Sequence, residues 1–234
     1  MAITNRSIQQ IIQEQVKKWE LACKLADGKG AQAYDPVITI SRQPGCNTVD
    51  IAKKLSEKLG FDVFDKNLLD MVAENTQLGT SVMASLDERE VSIAEELVKS
   101  LVDNRYYSAY KFFHHLLMAI AAIAQHGHSV IVGRGAGFIL PPAQNLRVSI
   151  IAPLDARVDN VVRKYGVSRE DARRRVIQRE SDRQAYIRKH FNADMLDPMR
   201  YDLTINLAAQ GVDAAVDTII SAWRARKAQT AASH

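Results

Sequence analysis

The residues best suited to chemistry form a short loop between a predicted strand and a predicted helix. The loop runs Ser41-Arg42-Gln43-Pro44-Gly45-Cys46-Asn47-Thr48. A helix N-terminus offers unpaired N–H groups and a partial positive charge to a phosphate, and Gly45 lets the backbone approach it. A Walker-type loop has glycine and lysine where this chain has Asn47 and Thr48, although Asn tolerates positive φ. The pattern predicts a phosphate-binding loop, with an ordinary Pro-Gly turn as the alternative.

A second candidate follows another apolar run, where Arg134 lies between Gly133 and Gly135. The glycines allow close approach of a ligand, and a guanidinium suits bidentate contact with phosphate. In open α/β sheets, ligands bind at the carboxyl ends of strands. We therefore interpret Arg134 as a phosphate contact, and an arginine held in an ion pair at a strand end is the alternative.

Arginines are concentrated between residues 157 and 189. Glu170 with Arg174, and Asp171 with Arg175, stand four residues apart and are predicted to pair on a solvated helix face. Negative charges interleave with the positive ones, which argues against a nucleic-acid surface. The arginines are Arg157, Arg163, Arg169, Arg173, Arg174, Arg175, Arg179, Arg183 and Arg188.

An aromatic and histidine cluster spans residues 106–115. It is interpreted as packing for a helical segment, with a base pocket as the alternative. The histidines lack the spacing of metal ligands, so no metal site is predicted. Cys46 is interpreted as a loop residue, because no nucleophile pattern accompanies it.

Five short apolar runs, separated by helical patterns, predict a parallel sheet covered on both faces. An amphipathic helix is predicted over residues 8–25, and Ser168 begins a capping-box pattern. A mostly helical stretch is predicted over residues 66–126, and a last helix after Gly211. The predicted strands cover residues 37–40, 61–64, 129–132, 147–151 and 202–206.

The composition is that of a globular protein. The chain has 234 residues, 47% hydrophobic content, a formal net charge of +4 and a pI near 9.0, which favours an anionic partner only weakly. We expect a cytoplasmic location, since no secretory signal or spanning run is recognised and the two cysteines form no disulfide pattern. No membrane contact is expected.

Several short motifs occur in a definite order: Ile38-Thr39-Ile40-Ser41-Arg42, Gly45, Ile51-Ala52-Lys53-Lys54-Leu55, Phe64-Asp65-Lys66, Val130-Ile131-Val132-Gly133-Arg134-Gly135-Ala136, Asp182-Arg183, and Tyr201-Asp202-Leu203-Thr204-Ile205-Asn206. Together they resemble the cytidylate kinase-like branch of the P-loop nucleoside monophosphate kinases over residues 36–222. The specificity lies in their order and spacing, since each motif is short.

This resemblance implies a P-loop kinase-like three-layer α/β fold, with a five-stranded parallel sheet and helices on both faces. Residues 1–35 would be an N-terminal helical extension and a candidate homodimer surface. Residues 36–225 would form the kinase-like domain, with a helical monophosphate-binding insert at 66–127 and a lid at 166–198. Residues 226–234 are predicted to be a flexible tail.

The resemblance also implies ATP and Mg²⁺ as cofactors, small-molecule nucleotides as partners, and transfer of the γ-phosphoryl group to CMP or dCMP. A nucleotide-binding protein that has lost catalysis is the alternative, and a nucleic-acid binder is the least favoured. The ATP site would comprise Ser41, Arg42, Gly45, Cys46, Asn47, Thr48 and Val49. Arg134, Gly135, Asp65 and Lys66 would face the monophosphate, although the last two also read as a solvated helix start. The catalytic lid residues would be Arg179, Asp182, Arg183 and Arg188.

Overall fold

A computed structural model of the chain describes residues 35–74, 80–82, 84, 86, 91–92, 94–96, 98 and 110–232, together with Lys17. Apart from Lys17, the predicted N-terminal helix and the dimer surface assigned to it lie outside the described residues, as do Tyr106 and Tyr107. None of the described helices combines the length and the apolar character needed to cross a bilayer.

Five parallel strands form one sheet in the order β2-β3-β1-β4-β5, which confirms the predicted sheet. Each strand coincides with one of the predicted apolar runs, and β1 and β4 are each two residues longer than predicted. In the middle of the sheet, Ile38 pairs with Val130 on one side and with Leu146 on the other. The strands are β1 Val37–Arg42, β2 Asp62–Phe64, β3 Ser129–Val132, β4 Asn145–Ile151 and β5 Leu203–Asn206.

Helices alternate with the strands along the described chain. Gly60 and Gly166 end two of them in left-handed conformation, and Ser168 caps another by accepting the N–H of Asp171, as its capping-box pattern predicts. The helices are α1 Val49–Leu59, α2 Lys66–Glu74, α3 Tyr110–His126, α4 Ala136–Ile139, α5 Leu154–Tyr165, α6 Arg169–Phe191 and α7 Leu207–Ala232.

The two faces of the sheet bury separate apolar layers. Alternate residues of a strand point to opposite faces, so Ile38 and Ile40 pack with α1 and α7, whereas Val37 packs with α2 and α3. The apolar run at residues 116–124 lies within α3 and is buried, with Met118 partly buried. The result is a three-layer α/β fold with a helical layer on each side of the sheet.

The last helix extends into the segment predicted as a tail. α7 kinks at Gly211, whose φ is 76°, and its next turns bury Val216, Ile219 and Trp223. The helix continues to Ala232, so residues 226–232 of that segment are helical. The alanines of this segment favour helix, and the hydroxyl of Thr230 donates to the main-chain oxygen of Arg226 at 2.8 Å.

Candidate active site

The predicted site residues converge where β1 and β3 end. Arg42 is the last residue of β1, and residues 133–135 form the turn after β3. A Cβ placed on Gly133 would lie 2.7 Å from Nη1 of Arg42, so the guanidinium lies directly against this turn. The loop after β1 and the turn after β3 therefore belong to one site at the carboxyl edge of the sheet.

Residues 43–48, the β1–α1 loop, are folded tightly against the protein. The N–H of Gln43 extends the sheet by donating to the carbonyl of Ile150 at 3.0 Å. Gly45 has φ of 89°, and a Cβ there would lie 2.5 Å from the main-chain oxygen of Arg157. Asn160 donates to the carbonyl of Gly45 at 3.0 Å. Glycine is needed at position 45 because α5 approaches closely, a reason that the sequence did not reveal.

The N-terminus of α1 differs from the sequence prediction in two side chains. Asn47 does not have the positive φ expected at a second glycine position, and its amide instead donates to Asp50 at 2.7 Å. Thr48 is 3% exposed, so its side chain points away from solvent. Thr48 makes no side-chain capping bond, which leaves first-turn N–H groups of α1 for water or an anion.

A buried arginine, Arg157, holds the β1–α1 loop in place through hydrogen bonds. Arg157 is 5% exposed and donates to the carbonyls of Ala152 at 2.9 Å and Pro44 at 3.4 Å. It also pairs with Glu180 of α6 at 3.3 Å. Glu180 accepts a second bond from the amide of Gln43 at 3.2 Å. This network ties the β1–α1 loop to α5 and α6, and the sequence analysis did not single out Glu180 or Gln43.

Two arginines meet at the end of β1. Nη1 of Arg183, on α6, donates to the main-chain oxygen of Arg42 at 2.7 Å. Burial, followed by the charges of Arg42 and Arg179, lowers the pKa of Arg183 to about 10. Burial also lowers the pKa of Arg42, partly offset by Asp65. No carboxylate among the described residues forms an ion pair with Arg42 or Arg183, so an anion would relieve their repulsion.

The other predicted lid residues lie on different faces of α6. Arg179 is exposed, although its charge reaches Arg183. Asp182 is exposed and accepts a bond from Gln178 at 2.8 Å, and Arg188 is exposed as well. The structure therefore brings Arg183 to the β1–α1 loop, whereas Asp182 and Arg188 are exposed and no contact with the loop is recorded for either among the described residues.

Two ion pairs were predicted on the surface of α6, and one of them has a different partner in the structure. Arg174 pairs with Glu170 at 3.0 Å, as predicted. Asp171 pairs with the same arginine rather than with Arg175, because Arg174 is also three residues from Asp171 on the helix.

The turn after β3 holds Arg134 in an uncommon conformation. Gly133, Arg134 and Gly135 have φ of 92°, 52° and 73°, and a non-glycine residue with positive φ is usually maintained by its surroundings for a reason. Nε and Nη2 of Arg134 donate to the two carboxylate oxygens of Asp70. The ion pair weighed as the alternative for this arginine therefore exists, and Asp70 was missed by the sequence analysis.

Asp65 and Lys66 begin α2 at the same edge. Oδ1 of Asp65 accepts the N–H groups of Asn67 at 2.9 Å and Leu68 at 3.0 Å, so this residue caps the helix. Lys66 is half exposed and pairs with Asp70 at 2.7 Å. Asp65 also acts electrostatically on Arg42, which places its charge near the β1 end.

Ser41 and Cys46 are the remaining residues of the predicted phosphate-binding loop to be located. Ser41 lies near the hydroxyl of Tyr201, which donates to the main-chain oxygen of Met195 at 2.8 Å. Burial raises the pKa of Cys46 to about 11, although the charges of Arg157 and Arg183 lower it. The raised pKa keeps Cys46 in the thiol form at neutral pH.

The profile of the Cytidylate kinase-like family matches residues 37–209, which include the five described strands together with Arg42, Arg134 and Arg183. The chain belongs to the Cytidylate kinase-like family. The cytidylate kinase of Ignicoccus hospitalis is 27% identical over 184 residues, covering 78% of this chain and 96% of the relative. The cytidylate kinase of Pyrococcus horikoshii is 27% identical over 188 residues, covering 79% of this chain and 88% of the relative.

A solved structure shares the fold of this family member. The crystal structure of an uncharacterized protein from Eubacterium ventriosum superposes with a TM-score of 0.56, at 22% identity, over 81% of this chain and 98% of that chain. The similarity supports the fold alone.

The donor groups of this cytidylate kinase-like chain fit a magnesium ion that is held mainly by nucleotide phosphates. Val49, at the position where a Walker-type loop has a hydroxyl, is 65% exposed and carries no oxygen on its side chain. Asp65 fits better, because it uses only Oδ1 to cap α2 and Mg²⁺ bound to phosphates takes one or two carboxylates and several waters. Among the described residues, no group of three acidic, histidine or cysteine side chains is arranged to hold a metal ion.

Proposed function

We propose that the chain is an ATP-dependent nucleoside monophosphate kinase that phosphorylates CMP or dCMP. The observation that carries the proposal is the contact between Arg183 and the main-chain oxygen of Arg42. It brings positive charge from α6 to the β1–α1 loop, in which this chain has Thr48 where a Walker-type loop has lysine. Membership of the Cytidylate kinase-like family and the names of its curated relatives support the acceptor.

Phosphoryl transfer depends on neutralising negative charge and on positioning the two substrates more than on a nucleophilic side chain. An oxygen of the acceptor phosphate attacks the γ-phosphorus of ATP, the bond to the β-phosphate oxygen breaks, and ADP leaves. Negative charge spreads over the transferring group, so cations placed around it lower the barrier. In this chain, the guanidinium groups of Arg42 and Arg183 would supply that charge next to the N-terminus of α1.

The acceptor would lie on the β3 side of the same edge. Arg42 contacts the turn that presents Arg134, so a phosphate bound by Arg134 would stand close to one bound by Arg42. Asp65 would share in holding Mg²⁺ together with the phosphates of ATP, and this ion would add charge neutralisation at the transferring group.

A panel assay tests the proposed function. ADP release is measured with each common nucleoside monophosphate as the acceptor, at saturating ATP and Mg²⁺. We expect turnover with CMP or dCMP above the ATP hydrolysis seen without acceptor. No turnover with any acceptor would overturn the proposal.

A second candidate is a nucleotide-binding protein without catalysis. It is favoured by two side chains at the start of α1, those of the buried Thr48 and the exposed Val49, neither of which replaces the missing lysine. ATP and CMP would then each raise the melting temperature, as specific ligands do, with no phosphoryl transfer. Transfer to any acceptor would exclude this candidate.

A further inference from the structure

The main-chain oxygens of residues 42–46 all accept hydrogen bonds within the protein. Two of these bonds come from N–H groups of the β1–α1 loop itself, at 3.2 and 3.1 Å. The other three come from side chains of α5 and α6, so these two helices hold most of the carbonyl groups of the segment. They run from Arg183 to Arg42 at 2.7 Å, from Arg157 to Pro44 at 3.4 Å and from Asn160 to Gly45 at 3.0 Å.

The direction of these carbonyl groups decides what the loop offers to an anion. An N–H group attracts a phosphate, whereas a carbonyl oxygen carries partial negative charge and repels it. In a trans peptide the N–H points away from the carbonyl, and none of the described peptides is cis. Because Arg157 holds the oxygen of Pro44, the N–H of Gly45 points away from that arginine. This N–H has no acceptor recorded among the described residues, so it is available to a ligand.

The peptide that follows Gly45 depends on Asn160. Its N–H belongs to Cys46 and donates to the oxygen of Gln43 at 3.2 Å, while Asn160 holds its oxygen at 3.0 Å. Glycine has no Cβ, so the peptide planes on either side of it rotate with little steric resistance. Without Asn160, the oxygen of Gly45 would be free to turn toward a bound phosphate and repel it.

Helix α5 is firmly placed beside the loop. It follows β4, which pairs with β1 along the whole length of β1. The side-chain oxygen of Gln43 accepts the N–H of Ala152 at 3.1 Å, and this bond ties the loop to the connection between β4 and α5. Arg157 and Asn160 stand three residues apart, so they lie on the same face of α5. The helix therefore holds the peptides on both sides of Gly45 from one face.

We propose that Asn160 is a positioning residue that sets the affinity of the β1–α1 loop for the phosphates of a nucleoside triphosphate. It does not touch the nucleotide and acts by keeping the oxygen of Gly45 directed at α5. The inference rests on the proposed function in taking ATP as the ligand of the loop. It assigns the control of triphosphate affinity to an amide 115 positions from the loop glycine.

Calorimetry with the unmodified chain and Asn160→Ala tests the inference without requiring turnover. The titrants are ATP with Mg²⁺, and CMP. Asn160→Ala is expected to weaken ATP binding by about fivefold, the equivalent of one hydrogen bond between uncharged groups. The affinity for CMP is expected to stay within about twofold, because this substitution leaves the turn after β3 unchanged.

A rescue variant and a kinetic split separate positioning from a purely structural role. Asn160→His is expected to bind ATP more tightly than Asn160→Ala, because Nδ1–H of histidine can donate from the same point along the side chain as the asparagine amide. In steady-state assays, Asn160→Ala should raise KM for ATP by about fivefold and leave KM for CMP within about twofold. A general loosening of the fold would raise both.

Gln178→Ala is the matched control. Gln178 is a side-chain amide of α6 that donates to the exposed Asp182 at 2.8 Å, and no bond from it to the loop is recorded among the described residues. This variant is expected to bind ATP and CMP as the unmodified chain does. The urea midpoint of each variant, measured without ligand, shows whether a loss of affinity is a loss of folded protein.

Four results overturn the positioning role. They are unchanged ATP affinity in Asn160→Ala, equal weakening of ATP and CMP, an equal loss in Gln178→Ala, and absence of ATP binding to the unmodified chain. The result is separable from the proposed function. If Asn160→Ala weakens ATP binding while no acceptor is turned over, the positioning role stands and the kinase fails. If CMP is phosphorylated with the same KM for ATP in both proteins, the kinase stands and the positioning role fails.

Discussion

Nη1 of Arg183 lies 2.7 Å from the main-chain oxygen of Arg42, across 141 positions of sequence. The contact joins the long helix α6 to the end of the central strand β1. Both guanidinium groups have a lowered pKa, and burial is the largest cause for each. Such an arrangement is costly without an anion, and it is therefore the feature on which the proposed phosphoryl transfer depends.

Arg183→Ala is expected to lower kcat with CMP by at least about 100-fold, because charge at the transferring group is lost. Arg183→Lys should recover only part of that rate, since an ammonium lacks the planar fork of donors. Steady-state kinetics with varied CMP and ATP provide the measurement. Arg174→Ala on the same helix, where the arginine pairs only with surface carboxylates, should keep the rate of the unmodified chain.

Glu180→Ala is expected to lower the free energy of unfolding by about 2–4 kcal/mol, because it leaves the buried guanidinium of Arg157 without its carboxylate. The loss also frees the amide of Gln43 and loosens the β1–α1 loop. Urea unfolding gives the free energy. Glu170→Ala is the matched control, a glutamate of the same helix paired with Arg174 at the surface, and it should unfold like the unmodified chain. Equal effects of the two substitutions would contradict the supporting role of Arg157.

Gly45→Ala is expected to destabilise the fold more than Gly166→Ala. Both glycines have positive φ, so alanine is strained at either position by about 1 kcal/mol. Only at position 45 would the new Cβ also meet the main chain of Arg157, whereas nothing lies within 4 Å at position 166. The difference between the urea unfolding midpoints of the two variants measures the cost of placing a Cβ against the main chain of Arg157. Equal midpoints would show that α5 does not restrain this loop.

His126 is expected to make stability depend on pH below neutrality. Burial lowers its pKa from 6.5 to about 4, so the unfolded chain holds the proton more tightly than the folded one between these values. The stabilisation is complete above pH 6.5 and is lost as pH falls toward 4, by at most about 1.4 kcal/mol for each pH unit. His126→Gln should flatten this slope in urea unfolding measured from pH 7 to pH 4.5. The same slope in both proteins would refute the assignment.

The fold could be predicted from the sequence because the patterns that specify its strands and helices are local. Each apolar run of β-branched residues became a strand, and continuous apolar character predicted that both faces of the sheet would be covered. The glycines around Arg134 marked a position open to close approach, and in the structure Gly133, Arg134 and Gly135 all have positive φ. These signals depend on neighbours in the chain and not on how helices pack.

The site was harder to predict because its partners are distant in sequence. Asp70 lies 64 positions from Arg134, and nothing in the pattern of α2 shows that this carboxylate meets the β3 turn. On α6, neighbouring residues such as Asp182 and Arg183 point about 100° apart, so adjacency did not give them a shared role. A stripe at helical spacing does mark the inward face, and its members are Ala172, Val176, Glu180, Arg183 and Ile187. That stripe would have selected Glu180 and excluded Asp182.

Transfer of label from γ-labelled ATP to CMP tests the proposed kinase most directly. The unmodified chain is predicted to form labelled CDP in step with ADP, and Arg183→Ala to form it at least about 100-fold more slowly, with Arg174→Ala unaffected. No labelled CDP from the unmodified chain, or an equal rate from Arg183→Ala, would contradict the proposal that arginines replace the loop lysine in phosphoryl transfer.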